Sequence, residues 1–322
     1  MSSSKEPLAP IFSIVVPVYQ NELNLEDTIP ELLQLQSDIG DLSLELVLVD
    51  DGSSDRSWEL MQKWHRQAPQ QIRLVKLVKN FGQIAAIQAG LQFARGNCVG
   101  IISADLQDPP ELFLEMIQHW KEGWPLVVAE RKNREEGILH RSISGLYWRL
   151  VNRYAVKGFP IGGFDFCLLD RKVVDEINKI KEKNSMIFVL IFSLGFPHKR
   201  VHFTRRIRKA GKSQWSLTKK IKLFVDTFIS FSYVPLRLIS ALGLTTAVLS
   251  FMVAFFFIYR RLVHEHPVPG WTSLVVLTSF FGGMILLTLG IIGEYLWRVL
   301  EEVRRRPLYL VDQIIENPPQ HD

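Results

Sequence analysis

The sequence predicts an α/β domain, built on a mostly parallel sheet with helices on both faces, followed by a two-helix transmembrane hairpin. Three observations carry that expectation. Short runs rich in Val and Ile alternate with segments of helical character over the first part of the chain. Acidic residues gather at the ends of two of those runs. Near the C-terminus, Leu238–Ile258 and Trp271–Gly293 run for 21 and 23 residues without a charge. About 20 residues cross ~30 Å of hydrocarbon as a helix. A buried core helix seldom runs so long without a polar face.

Phe12–Val18 (FSIVVPV), Leu44–Val49 (LELVLV), Ile72–Val78 (IRLVKLV) and Val99–Ser103 (VGIIS) read as strands. Leu23–Leu35, Ser57–Arg66 and Gln83–Ala94 read as the helices between them. Such alternation makes the strands parallel and puts ligands beyond their carboxyl ends. Further on, Ser216–Tyr233 carries Lys219, Lys220 and Lys222 near one end, with Ile221, Phe224, Val225, Phe228 and Ile229 at helical spacing. It fits a helix lying in the headgroup plane, or an amphipathic helix packed on the head. The expected organisation is a head at 1–215, this juxtamembrane helix at 216–235, two spans within 236–297 and a tail at 298–322 whose closing ENPPQHD frays.

The chain has 322 residues and two cysteines, Cys98 and Cys167, which excludes a disulfide framework and suits a reducing compartment. Its opening MSSSKEPLAP lacks the layout of a signal peptide, so insertion is expected to depend on the C-terminal helices. The net charge of +5 is uneven. Eleven basic residues (Lys199, Arg200, Arg205, Arg206, Arg208, Lys209, Lys212, Lys219, Lys220, Lys222 and Arg237) precede the first span against one acid, Asp226. Such a belt attracts anionic headgroups. No aromatic-interleaved groove accompanies it, so nucleic acid is not expected as a partner. With Arg298, Arg304, Arg305 and Arg306 after the second span, the positive-inside rule sets both termini in the cytoplasm of a multi-pass plasma-membrane protein. Arg260 and Arg261, in the loop, weaken that asymmetry without reversing it.

The second strand ends in Asp50 and Asp51, within VDDGSSD. Adjacent carboxylates are costly there unless they bind something or order a turn; capping of the next helix by Asp51, Ser53 or Ser54 explains one acid better than two. The fourth strand runs into SADLQDPP, residues 103–110. Asp105 with Gln107 makes a half-shell for a hard divalent cation, which takes one or two protein carboxylates and fills its octahedron with water and phosphate oxygens. Asp108, before Pro109, reads as a helix cap. Arg131, Arg134, Arg141, Arg149 and Arg153 follow, with forks suited to phosphate.

The segments PVYQNE (17–22), VDDGSSD (49–55), NFGQIAAIQAGLQFARGN (80–97), ADLQDPPE (104–111) and RKAGKSQW (208–215) resemble the inverting family-2 glycosyltransferases of GT-A fold, a Rossmann-like architecture. Within these, the chain is similar to the polyprenyl-phosphate glycosyltransferases, relatives of dolichol-phosphate mannose synthases. The closing GIIGEYLWRVLEEVRRRPLY (290–309) resembles the two-helix branch that includes bactoprenol glucosyltransferases. The resemblance implies a nucleotide-sugar donor such as UDP-glucose, an undecaprenyl phosphate acceptor, and Mg²⁺ or Mn²⁺. It implies that Pro17, Tyr19, Asp50 and Asp51 contact the nucleotide, and that Ser103, Ala104, Asp105 and Gln107 address the metal and diphosphate. Arg131 and Arg141 would seat phosphate, and Arg208 with Ser213 would close over it.

Asp165, in GGFDFCLLDR, falls where the family carries its candidate base; holding an arginine or a sugar hydroxyl is the other role open to it. Two departures stand out. Ser103 replaces the first acid of the usual Asp-x-Asp motif, and the opening motif has one residue more than PVYNE, leaving Asn21 or Glu22 for its acidic role. A processive polysaccharide synthase is a rival, against which stand the absent Gln-x-x-Arg-Trp motif and the number of spans; a non-catalytic sugar-nucleotide scaffold is another. Gly243 with Ala247, and Gly282, Gly283, Gly290 and Gly293, suit either a homo-oligomer or close packing of the hairpin on itself.

Overall fold

The computed structural model describes residues 10–131, 156, 158–160, 163–180, 187–206, 234–263, 270–304 and 306–316. Arg141, Arg208, Ser213 and the segment 216–233 lie outside them. Met1–Phe224 with Pro307–Asp322 make one compact unit and Val225–Arg306 a second.

The first unit begins with β1 (Ile11–Val18), α1 (Glu22–Gln34), β2 (Ser43–Asp50), α2 (Ser57–Gln67), β3 (Ile72–Leu77), α3 (Gln83–Phe93) and β4 (Cys98–Ile101). These are the four strands and three helices expected, each end within two residues of its expected place. It continues with α4 (Leu112–Lys121), β5 (Leu126–Arg131), β6 (Cys167–Asp170), α5 (Arg171–Lys179), α6 (Ile187–Ser193), β7 (His198–Phe203) and finally β8 (Val311–Ile315). The eight strands form one sheet in the order β7-β5-β6-β4-β1-β2-β3-β8. The β1–β2, β2–β3, β1–β4 and β5–β7 pairs are parallel; β6 and β8 run against their neighbours. The result is a mixed, GT-A-like sheet with flanking helices, six strands pointing one way.

β1 is central because both of its faces are apolar. Phe12, Ile14, Val16 and Val18 pack into one core with Leu25, Ile29 and Leu32 of α1, Met61 of α2 and Phe113, Met116 and Ile117 of α4. On the opposite face Val15 lies against α3, where Gly90 permits the approach: a Cβ there would sit 2.2 Å from the Val15 Cγ1. Pro17 interrupts nothing, because β1 pairs with β4 only as far as Val15, with Ile102 N–H donating to the Val15 carbonyl.

Part of the tail expected at 298–322 joins the sheet, and most of its closing ENPPQHD lies outside the described residues. Val311–Ile315 completes the sheet as its antiparallel edge, and Glu316 pairs with the buried Arg73 at 3.0 Å and with Arg95 at 2.8 Å. Closing an exposed edge strand, and a buried guanidinium that needs a carboxylate, explain why these residues order.

The second unit contains α7 (Val234–Val263) and α8 (Trp271–Val303), of 30 and 33 residues. Among the described residues one window, Phe280–Trp297 in α8, is long and apolar enough to cross a membrane, with mean hydropathy 1.6 and none of it buried. Leu244, Phe255 and Tyr259 on α7 and Leu286, Leu289 and Leu296 on α8 are exposed.

Candidate active site

Register brings the carboxyl ends of six strands, β1 to β5 and β7, to one edge of the sheet. β6, antiparallel to β4 with Cys167 opposite Ile101, begins there. Pro17 and Tyr19, Asp50 and Asp51, Ser103 to Gln107, Arg131 and Asp165 therefore share the carboxyl edge, where an open α/β sheet binds its ligands.

On the β1–β2 side the two adjacent aspartates do different things. Asp51 is structural: its Oδ1 accepts the Phe81 N–H at 2.7 Å and its Oδ2 the Gly82 N–H at 2.8 Å, tying β2 to the loop before α3. Gly52 follows at φ +68°, so close to the Lys79 backbone that a Cβ would lie 2.5 Å from it. Asp50 is fully buried; its Oδ1 accepts the Ser53 N–H at 3.2 Å, while its Oδ2 has no hydrogen-bond partner. Burial raises the pKa of both carboxyls above the ordinary range. Neither caps α2; the turn before it is closed by Asp55, whose Oδ1 accepts the Ser57 N–H at 3.1 Å.

Gln20, the extra residue of the opening motif, adopts φ +52°, and its N–H donates to the Ser53 Oγ at 3.0 Å. Glu22 turns to α2, its carboxylate accepting the Arg56 N–H at 3.0 Å while its own N–H donates to Asp55 at 3.2 Å. Leu106, in the loop after β4, is the second non-glycine residue at positive φ, +53°. Both strained residues lie in loops at this edge, as functional sites commonly hold them.

The loop after β4 is fixed from two sides. The Thr28 hydroxyl donates to the Ala104 carbonyl at 2.9 Å, and the Arg206 N–H to the Gln107 carbonyl at 2.8 Å. Within it the Gln107 N–H donates to the Asp105 Oδ1 at 3.3 Å. Asp108 is no helix cap. Its side chain is fully buried, neither carboxylate oxygen has a hydrogen-bond partner, and the Arg205 Nε lies 3.2 Å from its Oδ1. Burial first, and the nearby Asp165 second, push its pKa up to about 7 against the pull of Arg205 and Arg131. The Arg205 Nη2 stands 3.8 Å from the Asp165 Oδ2, and the Arg131 Nη2 donates to both Asp165 oxygens. Asp108, Arg205, Asp165 and Arg131 thus make one chain of alternating charge next to Asp105.

Among the described residues no group of three or more His, Cys, Asp or Glu side chains is arranged to hold a metal. Asp105 still fits a hard divalent cation that takes one protein carboxylate and completes its shell with diphosphate oxygens. Sequence reasoning missed two members of this site. In the sequence the Pro that follows Asp108 makes it read as a cap, and Arg205 reads only as part of the basic belt. The apolar alternation of Val201 and Phe203, which ends a strand two residues before Arg205, was the available signal.

Residues 13–177 match the family described as glycosyl transferase family 2. The chain is 39% identical over 303 residues to the uncharacterized glycosyltransferase YkcC of Bacillus subtilis (strain 168), covering 94% of this chain and 93% of that one. It is 33% identical over 303 residues to the SfII prophage-derived bactoprenol glucosyl transferase of Shigella flexneri, covering 93% and 96%. Among solved structures it aligns with the mannosyltransferase PcManGT from Pyrobaculum calidifontis in complex with GDP-Man and Mn²⁺, at 15% identity, 91% coverage of each chain and a TM-score of 0.45. By its family match and its near full-length identity to these relatives, the chain belongs to glycosyltransferase family 2.

Proposed function

We propose that the protein transfers glucose from UDP-glucose to undecaprenyl phosphate, inverting the anomeric carbon and yielding undecaprenyl-phospho-glucose. The observation that carries the reading is the line of charged groups Asp105, Asp108, Arg205, Asp165 and Arg131 along one sheet edge. It is supported by 33% identity, along nearly the whole chain, to a bactoprenol glucosyl transferase.

We read the reaction as running along this edge. The nucleotide lies over the ends of β1 and β2, near Pro17, Tyr19 and Asp50, and the diphosphate at Asp105 and Gln107. The acceptor approaches from the β6–β5–β7 side. An oxygen of its phosphate forms the new bond to the anomeric carbon as the bond from that carbon to the diphosphate breaks, and UDP departs. Mg²⁺ or Mn²⁺, held by Asp105 with Gln107 beside it, would neutralise charge on the departing diphosphate. Arg141, Arg208 and Ser213 are assigned to the phosphates by family resemblance.

A phosphomonoester has a second pKa near about 6, so at pH 7 the acceptor is largely dianionic and needs little deprotonation. We therefore read Asp165 as an orienting carboxylate that holds the Arg131 guanidinium, rather than as a general base.

The chain leaves the head after β7 and returns to the same sheet as β8. A segment that starts and ends in one folded unit crosses a bilayer an even number of times. That supports two spans, α7 and α8, with both termini on the side of the basic belt, the cytoplasm of the plasma membrane. Transfer of label from UDP-[¹⁴C]glucose into organic-extractable lipid, in a panel of UDP- and GDP-sugars, tests the activity. Label in an aqueous polymer, or donor binding without transfer, would sink it. Cysteine accessibility tests the topology: a cysteine placed at 264–269 should react only from outside, and the native Cys98 and Cys167 are buried and silent.

A further inference from the structure

Two cations flank Asp165, and they are engaged differently. The Arg131 Nη2 donates to both carboxylate oxygens, so that guanidinium is held in place. Arg205 is loosely held. Its Nε faces the Asp108 Oδ1 at 3.2 Å without hydrogen-bond geometry, and its Nη2 is 3.8 Å from Asp165, beyond hydrogen-bonding range. Among the described residues neither Nη of Arg205 makes a hydrogen bond, and the side chain is 29% exposed while that of Asp108 is 0% exposed. The Nη groups are therefore open to an oxyanion, while the Nε lies beside a carboxylate that solvent does not reach.

Position indicates which oxyanion. The sheet order places β7 and β6 beyond β4, on the far side of Asp105 from the Asp50 end of the edge. With the nucleotide read at the Asp50 end, a guanidinium just past β7 and 3.8 Å from Asp165 falls on the side assigned above to the acceptor.

We propose that Arg205 is a ligand of the acceptor's phosphate monoester and that Asp108 is the positioning residue that aims it. The inference rests on the lipid-phosphate reading above. A fork bound to a phosphate matches its geometry in a way an ammonium does not, and the buried Asp108, 3.2 Å from the Arg205 Nε, supplies the charge that draws the guanidinium to this place.

The test uses the full chain in detergent with UDP-glucose and undecaprenyl phosphate, fitting KM separately for donor and acceptor. Arg205→Ala should raise the acceptor KM by about 10- to 100-fold, the span of one lost charged hydrogen bond, and leave the donor KM within about 2-fold. Arg205→Lys should recover only part of the loss. Asp108→Asn, close in shape to the native residue, should raise the acceptor KM less than Arg205→Ala, and the double variant should be no worse than Arg205→Ala alone. UDP-glucose binding in each variant reports folding, and Arg205→Lys carries the test if the Ala variant does not fold. An unchanged acceptor KM, a rise in the donor KM instead, or full additivity in the double variant would overturn the proposal. Failure of the wild-type chain to label undecaprenyl phosphate at all would overturn the underlying reading and this inference with it. Normal acceptor KM in the variants of an active enzyme would overturn this inference alone.

Discussion

The Arg131 Nη2 donates to both carboxylate oxygens of Asp165, at 2.7 and 2.5 Å, joining the last residue of β5 to the loop that enters β6. The two residues are 34 apart in sequence and come together because β5 and β6 pair antiparallel. Asp165→Asn should keep UDP-glucose binding and lower kcat by about 100-fold, the scale of a misplaced reacting group. The acidic limb of its pH–rate profile, near the acceptor's own pKa of about 6, should remain. Loss of that limb in the Asn variant would make Asp165 a general base instead.

Asp51 and Gly52 should pin the loop before α3 to the end of β2. Asp51→Ala leaves the N–H groups of Phe81 and Gly82 without their acceptor, a cost of about 1–3 kcal/mol in urea unfolding. Gly52→Ala should destabilise by more than about 1 kcal/mol, because φ is +68° and the new Cβ would strike the Lys79 backbone. Both should weaken UDP-glucose binding in calorimetry. Wild-type stability in either would remove the pin.

Stability should depend on pH through Asp108. Its folded pKa is pushed up to about 7, whereas the unfolded carboxyl titrates near about 4. Between those values the folded chain holds a proton that the unfolded chain has lost. Stability is therefore highest below the window and falls as pH rises through it, by at most about 1.4 kcal/mol per unit. Asp50 and Asp51, also raised, add slope of the same sign. Asp108→Asn should flatten the dependence and raise Tm above pH 7 in the metal-free protein. A Tm no higher than wild type at pH 8 would refute the assignment.

The β8 edge should matter to the head. Glu316→Ala removes one of the two carboxylates at the buried Arg73, leaving Glu45 at 3.4 Å and the Phe93 carbonyl at 2.8 Å. We expect a loss of about 1 kcal/mol, Glu316 being partly exposed. Ending the chain before Val311 bares the β3 edge and should cause self-association, read by light scattering. A monodisperse shortened chain of unchanged Tm would show that β8 is dispensable.

Much of this was legible in the sequence where the pattern is local. β1 to β4 are runs buried on both faces and closed by turns, and α1 to α3 lie between them with little slack. The carboxyl-edge aspartates followed directly. β6 and β8 were not legible: CLLD and VDQII are too short for periodicity to separate from loop, and both become strands only because an edge was open beside β4 and beside β3.

By itself the sequence determined the alternating head, the long uncharged helices and the family, since each depends on residue type at short range or on whole-chain similarity. Tertiary structure alone decided that Asp51 binds backbone while Asp50 keeps an oxygen unpartnered, and that Glu22 serves α2. It also decided that Asp108 meets Arg205 across 97 positions of chain. Those outcomes depend on strand register, which is set by how the two faces of the sheet pack, and register is not written in any single segment.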